Sequence, residues 1–121
     1  MYRAQVKMHF DAAHFLRGYR GKCENLHGHR FLVAVAVETE TLDEIGMSID
    51  FCVLKRHFKE IVDTFDHRNL NETAPFDVIN PTSENLAAHF FKEMKSRLSP
   101  VTIRRVKVWE SPDAWASYSE S

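Results

Sequence analysis

The 121-residue chain carries 16 basic and 17 acidic side chains, a formal net charge of −1, and 44% hydrophobic residues. This balance excludes the basic surface of a protein that binds nucleic acid or anionic membranes. The longest apolar run, residues 31–37, is too short to span a bilayer, and the first residues lack the apolar core of a signal peptide. We therefore expect a cytoplasmic protein with no nucleic-acid or membrane partner.

No repeat or Pro/Gly-rich linker divides the sequence, so residues 1–121 are expected to form a single domain. A chain of this length is near the size at which association adds stability. Two cysteines, Cys23 and Cys52, are too few for a disulfide framework and are expected to stay as thiols. Cys52 lies in a helical apolar pattern and is interpreted as a small core residue.

Alternation of apolar and polar residues predicts two N-terminal strands, over roughly residues 2–11 and 29–40. The loop between them carries the basic residues Arg17, Arg20 and Lys22 as well as Cys23. The same alternation predicts closing strands at residues 103–110 and 114–118, joined by a turn at 111–113.

Two helices are predicted between these pairs of strands. In the first, which Ser48 or Asp50 can cap, the apolar residues at helical spacing are Phe51, Leu54, Phe58, Ile61, Val62 and Phe65. The second starts with Thr82 as N-cap, ends before Pro100, and has an apolar face of Leu86, Phe90, Met94 and Leu98.

The predicted order is β-β-α-α-β-β. It indicates an α+β fold in which a four-stranded antiparallel sheet has both helices on one face. The other sheet face and the edge strands need cover, so we expect a homo-oligomer in which several chains close a β-barrel.

Three histidines and one cysteine are concentrated in the first loop and the strands beside it. His27 and His29 are two residues apart, so in an extended segment both side chains reach the same face, and His14 can join them from a neighbouring strand. Three His ligands without a fourth protein ligand are typical of catalytic Zn²⁺. Two alternatives are a closed structural site with Cys23 as fourth ligand, and unrelated surface histidines.

Further candidate residues follow the strands and helices. Asp66-His67 comes after the first helix, where a carboxylate-oriented imidazole can move protons, although interaction with the helix dipole also explains the histidine. Glu110 ends an apolar strand face and needs a partner, either an internal Arg or a ligand with two parallel N–H groups. Thr82 and Ser83 lie at a helix N-terminus, where backbone N–H groups can bind a ligand or where capping alone explains them.

These motifs together resemble the 6-pyruvoyl-tetrahydropterin synthase / 6-carboxy-tetrahydropterin synthase family. The resemblance rests on six segments: Phe10-Asp11-Ala12-Ala13-His14, C-x3-H-G-H from Cys23 to His29, Ile49-Asp50-Phe51, Asp66-His67 with Leu70-Asn71, Asn80-Pro81-Thr82-Ser83-Glu84, and Glu110. It implies the tunnelling fold, in which trimers close a twelve-stranded barrel and two trimers form a hexamer.

The resemblance also implies the roles of the candidate residues. His14, His27 and His29 would bind zinc, and Cys23 would abstract a proton. Asp66 and His67, both contributed by another subunit, would complete the proton relay. Glu110 would anchor the pterin of 7,8-dihydroneopterin triphosphate, and the basic residues Arg17, Arg20, Lys22 and Arg30 are candidates for holding its triphosphate.

The spacing between Cys23 and His27 resembles the queuosine-pathway enzymes, which release acetaldehyde and make 6-carboxy-5,6,7,8-tetrahydropterin, more than the pyruvoyl-forming enzymes. Glu24 completes E-x-x-H-G-H, which resembles the branch that forms 6-hydroxymethyl pterin for folate, or is a solvated loop carboxylate. Two readings outside the family are a small zinc-dependent hydrolase or lyase and a non-catalytic zinc-stabilised module.

Overall fold

The computed structural model describes residues 1–120, and a long antiparallel hairpin opens the fold. Strand β1 comprises Tyr2–His14 and strand β2 comprises His27–Thr39. The two strands pair along their whole length, with His14 directly opposite His27. Both predicted strands are confirmed, and their pairing continues beyond the predicted limits towards the connecting loop. Small residues, which favour strands weakly, obscure the alternation in that part of the sequence: Ala12, Ala13 and Gly28.

The sheet has five strands in the order β3-β1-β2-β4-β5. Strand β4, Thr102–Ser111, pairs antiparallel with β2 and with β5, Ala114–Tyr118. The four predicted antiparallel strands are therefore confirmed, with the turn where it was expected. The short strand β3, Arg68–Asn69, adds a parallel edge beside β1. Two residues are too few to produce a periodic signal in the sequence.

Both predicted helices form and begin at capped residues. Helix α1 spans Phe51–Asp63, and the Asp50 carboxylate accepts a hydrogen bond from the Cys52 N–H at 2.8 Å. Helix α2 spans Ser83–Leu98, and Thr82 Oγ1 accepts from the Asn85 N–H at 3.1 Å. These side chains satisfy N–H groups that have no partner within the helix.

The core lies between the two helices and one face of the sheet. On that face, Val6 lies opposite Val35 and Phe10 lies opposite Phe31, and all four side chains are buried. The helices contribute further buried side chains: Leu54, Phe58, Ile61, Val62, Leu86, Phe90 and Met94. Alternate strand residues point to the other face, which carries polar and half-buried side chains such as Lys107.

Cys52 is exposed rather than a core residue as expected. It precedes Leu54, which is fully buried, by two positions, and two residues of an α-helix turn the side chain by about 200°. Phe51, which was counted in the apolar stripe, is 50% exposed in the first turn. The apolar face that contacts the sheet therefore begins at Leu54.

Within residues 1–120, neither helix combines the length and the apolar character that a membrane span requires.

Candidate metal centre and active site

The three candidate histidines lie together at the loop end of the β1–β2 hairpin. His14 and His27 are paired across the two strands, and His29 is paired with Ala12. Their ring centroids are 4.6 Å apart for His14 and His27, 5.2 Å for His14 and His29, and 4.7 Å for His27 and His29. One ring nitrogen of each lies within 4.8 Å of the other two. All three side chains project from the sheet face that carries Phe31, which continues the buried row towards the core.

Backbone carbonyls orient two of these rings. His14 Nδ1 lies 2.8 Å from the Pro81 carbonyl oxygen, and His27 Nδ1 lies 2.7 Å from the Asn25 carbonyl oxygen. Because a carbonyl only accepts hydrogen bonds, Nδ1 carries the proton in both rings and the lone pair is on Nε2. This is the arrangement found in histidines that bind metals, where the second nitrogen donates to a fixed acceptor.

The free nitrogens fit a metal ion. His14 Nε2 and His29 Nε2 are both buried, and neither has a hydrogen-bond partner among residues 1–120. A buried ring nitrogen without a partner is costly unless something occupies it. Cys23 is outside the group formed by the three nitrogens, so among the described residues this group offers three candidate ligands rather than four. Three imidazoles with an open position suit Zn²⁺.

Burial favours the neutral form of two of the three candidate ligands. Burial lowers the pKa of His14, against the opposing effect of its hydrogen bond to the Pro81 carbonyl. Burial also lowers the pKa of His29, although the nearby Glu110 carboxylate acts in the opposite direction. A neutral imidazole is the form that binds metal, so the site is prepared for a cation near neutral pH.

Glu110 lies beside the histidines. It follows Val106 and Val108 on the same face of β4, and its Oε1 is 3.9 Å from His29 Nε2. Its Oε2 accepts a hydrogen bond from the Ser83 hydroxyl at 3.3 Å. Within residues 1–120 no arginine pairs with this carboxylate, which is about one-third exposed at 33%. It therefore retains accepting capacity beside the metal centre.

The N-terminus of α2 connects the candidate groups. Thr82 is the predicted N-cap, and this part of the prediction is confirmed. Ser83 is only 8% exposed and donates to Glu110, while Pro81 holds His14 through its carbonyl. Sequence reasoning gave Pro81 no role, because a backbone carbonyl leaves no signal in the residue type.

Cys23 lies in a short 3₁₀ turn, Lys22–Glu24, that precedes β2. The thiol is half-buried, and its neighbour Glu24 is exposed. Glu24 lines a cavity of about 540 Å³ together with loop residues that include Arg17 and Arg20. The two candidate bases, Cys23 and Glu24, are therefore adjacent in the chain but differ in their exposure to solvent.

Asp66 and His67 form a second cluster. Asp66 Oδ1 lies 3.1 Å from His67 Nδ1 and accepts from the Asp11 N–H at 3.0 Å. That backbone hydrogen bond is the main cause of a lowered pKa for Asp66. His67 has a φ of 58°, which is uncommon for a residue with a side chain, and its own N–H donates to the Asp11 carbonyl at 2.6 Å.

This second cluster does not join the metal centre within one chain. Its side-chain atoms group with the Asp11 carboxylate, which also binds Arg30 at 2.9 and 3.1 Å. Asp11 alternates with Phe10 and Ala12 on β1, so its side chain is on the sheet face opposite to the histidines. His67 is 78% exposed. It is free to approach a neighbouring molecule.

Two of the proposed triphosphate contacts already have partners in the chain. The Arg17 guanidinium donates to the Phe76 carbonyl at 2.7 Å and lies 3.4 Å from that of Ile79. The Arg30 guanidinium is paired with Asp11. Arg20 and Lys22 are exposed on the loop.

Comparison with known proteins identifies the family of the chain. The family model described as 6-pyruvoyl tetrahydropterin synthase matches residues 3–121. The chain belongs to this family. The resemblance identified from the motifs is thereby confirmed, and the chain is a member of an enzyme family.

Similar proteins carry related names. A relative from Archaeoglobus fulgidus, a putative 6-carboxy-5,6,7,8-tetrahydropterin synthase, is 40% identical over 92% of this chain and 90% of its own length. A 6-carboxy-5,6,7,8-tetrahydropterin synthase from Synechocystis is 38% identical over 90% of this chain and 86% of its own. The solved structure of Caenorhabditis elegans 6-pyruvoyl tetrahydropterin synthase has a TM-score of 0.89 at 32% identity, with 99% of this chain and 96% of that chain covered. The tunnelling fold of the single chain is thereby confirmed.

Proposed function

We propose that the chain is a zinc-dependent 6-carboxy-5,6,7,8-tetrahydropterin synthase of queuosine biosynthesis. It converts 7,8-dihydroneopterin triphosphate and water to 6-carboxy-tetrahydropterin, acetaldehyde and triphosphate. The observation that carries the proposal is the position of Glu110, whose carboxylate is 3.9 Å from a buried, unpaired nitrogen of the histidine centre. The names of the Archaeoglobus and Synechocystis relatives support the 6-carboxy product.

Each group in the site has a chemical task in this reaction. His14, His27 and His29 hold the metal, and zinc bound there supplies a Lewis acid for negative charge on a substrate oxygen. Glu110 accepts hydrogen bonds from two parallel N–H groups on the amino-pyrimidinone edge of the pterin. Ser83 donates to the Glu110 carboxylate through its hydroxyl, and Thr82, the N-cap of α2, directly precedes it.

Proton transfer is assigned to Cys23, which removes a proton from the substrate side chain when it is a thiolate. Asp66 orients His67 as the second proton-transfer group. Asp66 and His67 lie on the other face of the sheet from the histidines. We therefore assign these two residues to the active site of a neighbouring subunit. As the family resemblance implies, we propose that the functional unit is a trimer or a hexamer that closes the sheets into a barrel.

A turnover assay tests the reaction. The protein is incubated with 7,8-dihydroneopterin triphosphate, with zinc or with a chelator, and the products are identified by mass. We expect 6-carboxy-tetrahydropterin and acetaldehyde only in the zinc sample. Unchanged substrate, or hydrolysis of the triphosphate alone, would contradict the proposal.

The shared active site has its own test. Inactive Cys23→Ala subunits and inactive His67→Ala subunits are mixed under conditions that allow exchange. Some mixed oligomers then contain a site with both native residues, so activity should return. Complete absence of activity in verified mixed oligomers would place both residues in the same chain's site.

A second candidate activity is formation of 6-hydroxymethyl pterin with Glu24 as the base. The observation that favours it is the location of Glu24 in the same 3₁₀ turn as Cys23. We rank it below the 6-carboxy activity, because an exposed loop carboxylate needs no function.

A further inference from the structure

Two asparagine side chains bind the backbone of the segment that follows His14. Asn71 Oδ1 accepts from the Phe15 N–H at 2.9 Å, and Asn71 Nδ2 donates to the Phe15 carbonyl at 3.0 Å. Asn80 does the same for Arg17, at 2.8 Å for the N–H and 3.0 Å for the carbonyl. Each amide satisfies both backbone groups of one residue, as a paired strand would do in a sheet.

The residue between these two anchors is bound to Cys23. Leu16 donates its N–H to the Cys23 carbonyl at 2.7 Å. The segment 15–17 is thus held by two asparagines and in turn holds the turn that carries the thiol. The two asparagines lie 56 and 63 residues away from their partners in sequence, so they fix the loop to the rest of the fold rather than to itself.

Both anchors are at least partly shielded from water. Asn71 is only 8% exposed, and Asn80 is half-buried. A buried backbone group that loses its partner remains unsatisfied, whereas an exposed one binds solvent. Arg17 adds a third attachment through its guanidinium and the Phe76 carbonyl. Loss of one asparagine should therefore move the segment rather than leave it in place.

We infer that Asn80 and Asn71 are positioning residues that fix the Cys23 thiol relative to the metal centre through the segment 15–17. The inference rests on the proposed role of Cys23 for its effect on turnover, but the placement of the thiol is measurable without any turnover. Neither asparagine contacts a candidate metal ligand through its side chain. Asn80 does precede Pro81, which binds His14, so an effect through the metal must be separated from an effect through the thiol.

The experiment uses the full chain with Cys52→Ser, so that Cys23 is the only thiol. Asn80→Ala is compared with the parent for the rate of Cys23 modification by a chromogenic disulfide, zinc content, kcat and KM. Val62→Ala is the matched control, because it truncates a buried helix residue away from the loop. If Asn80→Ala does not fold, Asn80→Asp takes its place, since it keeps the shape but replaces the donor to the Arg17 carbonyl with a charged, accepting oxygen.

We expect Cys23 to react about fivefold faster in the Asn80 variant, because a released segment opens more often. With zinc retained, kcat should fall by about 100-fold while KM stays within about threefold, as misplacement of a reacting group predicts. The control should keep the parent's thiol reactivity and kcat. Three results would overturn the inference: unchanged Cys23 reactivity in the Asn80 variant, loss of zinc from that variant, or equal changes of thiol reactivity and kcat in the Val62→Ala control. A protein without pterin turnover would refute the proposed function and still yield the thiol result.

Discussion

His14 and His27 lie directly opposite each other across the β1–β2 hairpin, with ring centroids 4.6 Å apart. Residues so paired have Cβ atoms about 4.5–5.5 Å apart, and both side chains leave the same sheet face. Residues 13 positions apart in the sequence thus become neighbours through strand register. The candidate metal centre is therefore built on two paired strands, and backbone carbonyls orient the rings of His14 and His27.

Replacement of His14 should remove the metal and the stability that it provides. In His14→Gln we expect loss of bound zinc, measured by mass spectrometry of the metal. With free zinc at 100 times its dissociation constant, removal of the metal should lower the free energy of unfolding of the parent by about 2.7 kcal/mol. The free energy of unfolding of the variant should change little. His9→Gln is the control, because His9 is exposed on the same strand. Stoichiometric zinc in folded His14→Gln would contradict the ligand assignment.

Replacement of Cys23 separates an open metal site from a closed one. In Cys23→Ala, turnover should fall by about 100- to 10,000-fold, the usual contribution of a positioned acid or base, while zinc stays stoichiometric. Cys52→Ala should keep both, since Cys52 is an exposed helix residue. If zinc is lost together with the Cys23 thiol, a structural site with four ligands is the better description.

Replacement of Glu110 tests recognition of the pterin. Glu110→Gln keeps the shape but exchanges one accepting oxygen for a donor, so pterin binding should weaken by about 1.5–3 kcal/mol. Calorimetric titration of the zinc protein with a pterin measures the change. Glu93→Gln, on the exposed side of α2, serves as control. Unchanged affinity in a folded Glu110 variant refutes this role.

Product analysis decides between Cys23 and Glu24. Wild type should make chiefly the 6-carboxy product, Cys23→Ala at most a trace of 6-hydroxymethyl pterin, and Glu24→Ala nearly the wild-type mixture. The physical reason is that neighbouring residues direct their side chains differently, so one base dominates. A 6-hydroxymethyl yield that survives Cys23→Ala and disappears in Glu24→Ala would establish two activities.

Burial of His89 should make stability depend on pH. Its ring packs against Phe65 and Phe76, and burial lowers its pKa below the ordinary 6.5. The unfolded chain therefore binds more protons than the folded one as pH falls through that value, and stability must decrease. Chemical unfolding of the metal-free protein should show a smaller decrease between pH 8 and about pH 5 for His89→Gln. Identical pH profiles of the two proteins would contradict this account.

Local patterns predicted the parts of the fold that depend on neighbouring residues in sequence. The alternation through Val106 and Val108 placed Glu110 on the correct strand, and Thr82 was recognised as a cap because capping acts within one turn. Cys52 was misassigned since a helical pattern without a known face does not fix which side meets the sheet. The segment that joins the metal centre to the thiol could not be predicted, because Asn71 and Asn80 act on backbone groups more than 50 residues away, with separations of 56 and 63.

The groups that orient His14 and His27 are carbonyls of Pro81 and Asn25, and every amino acid possesses one. A point mutation at either position changes the side chain but keeps the acceptor. A substitution of Pro81 or Asn25 therefore leaves the tautomers of these two rings in place. A carboxylate acceptor, in contrast, would be lost by a single substitution of its residue. A substitution of Asn25 that leaves the backbone path unchanged should therefore keep the orientation of His27.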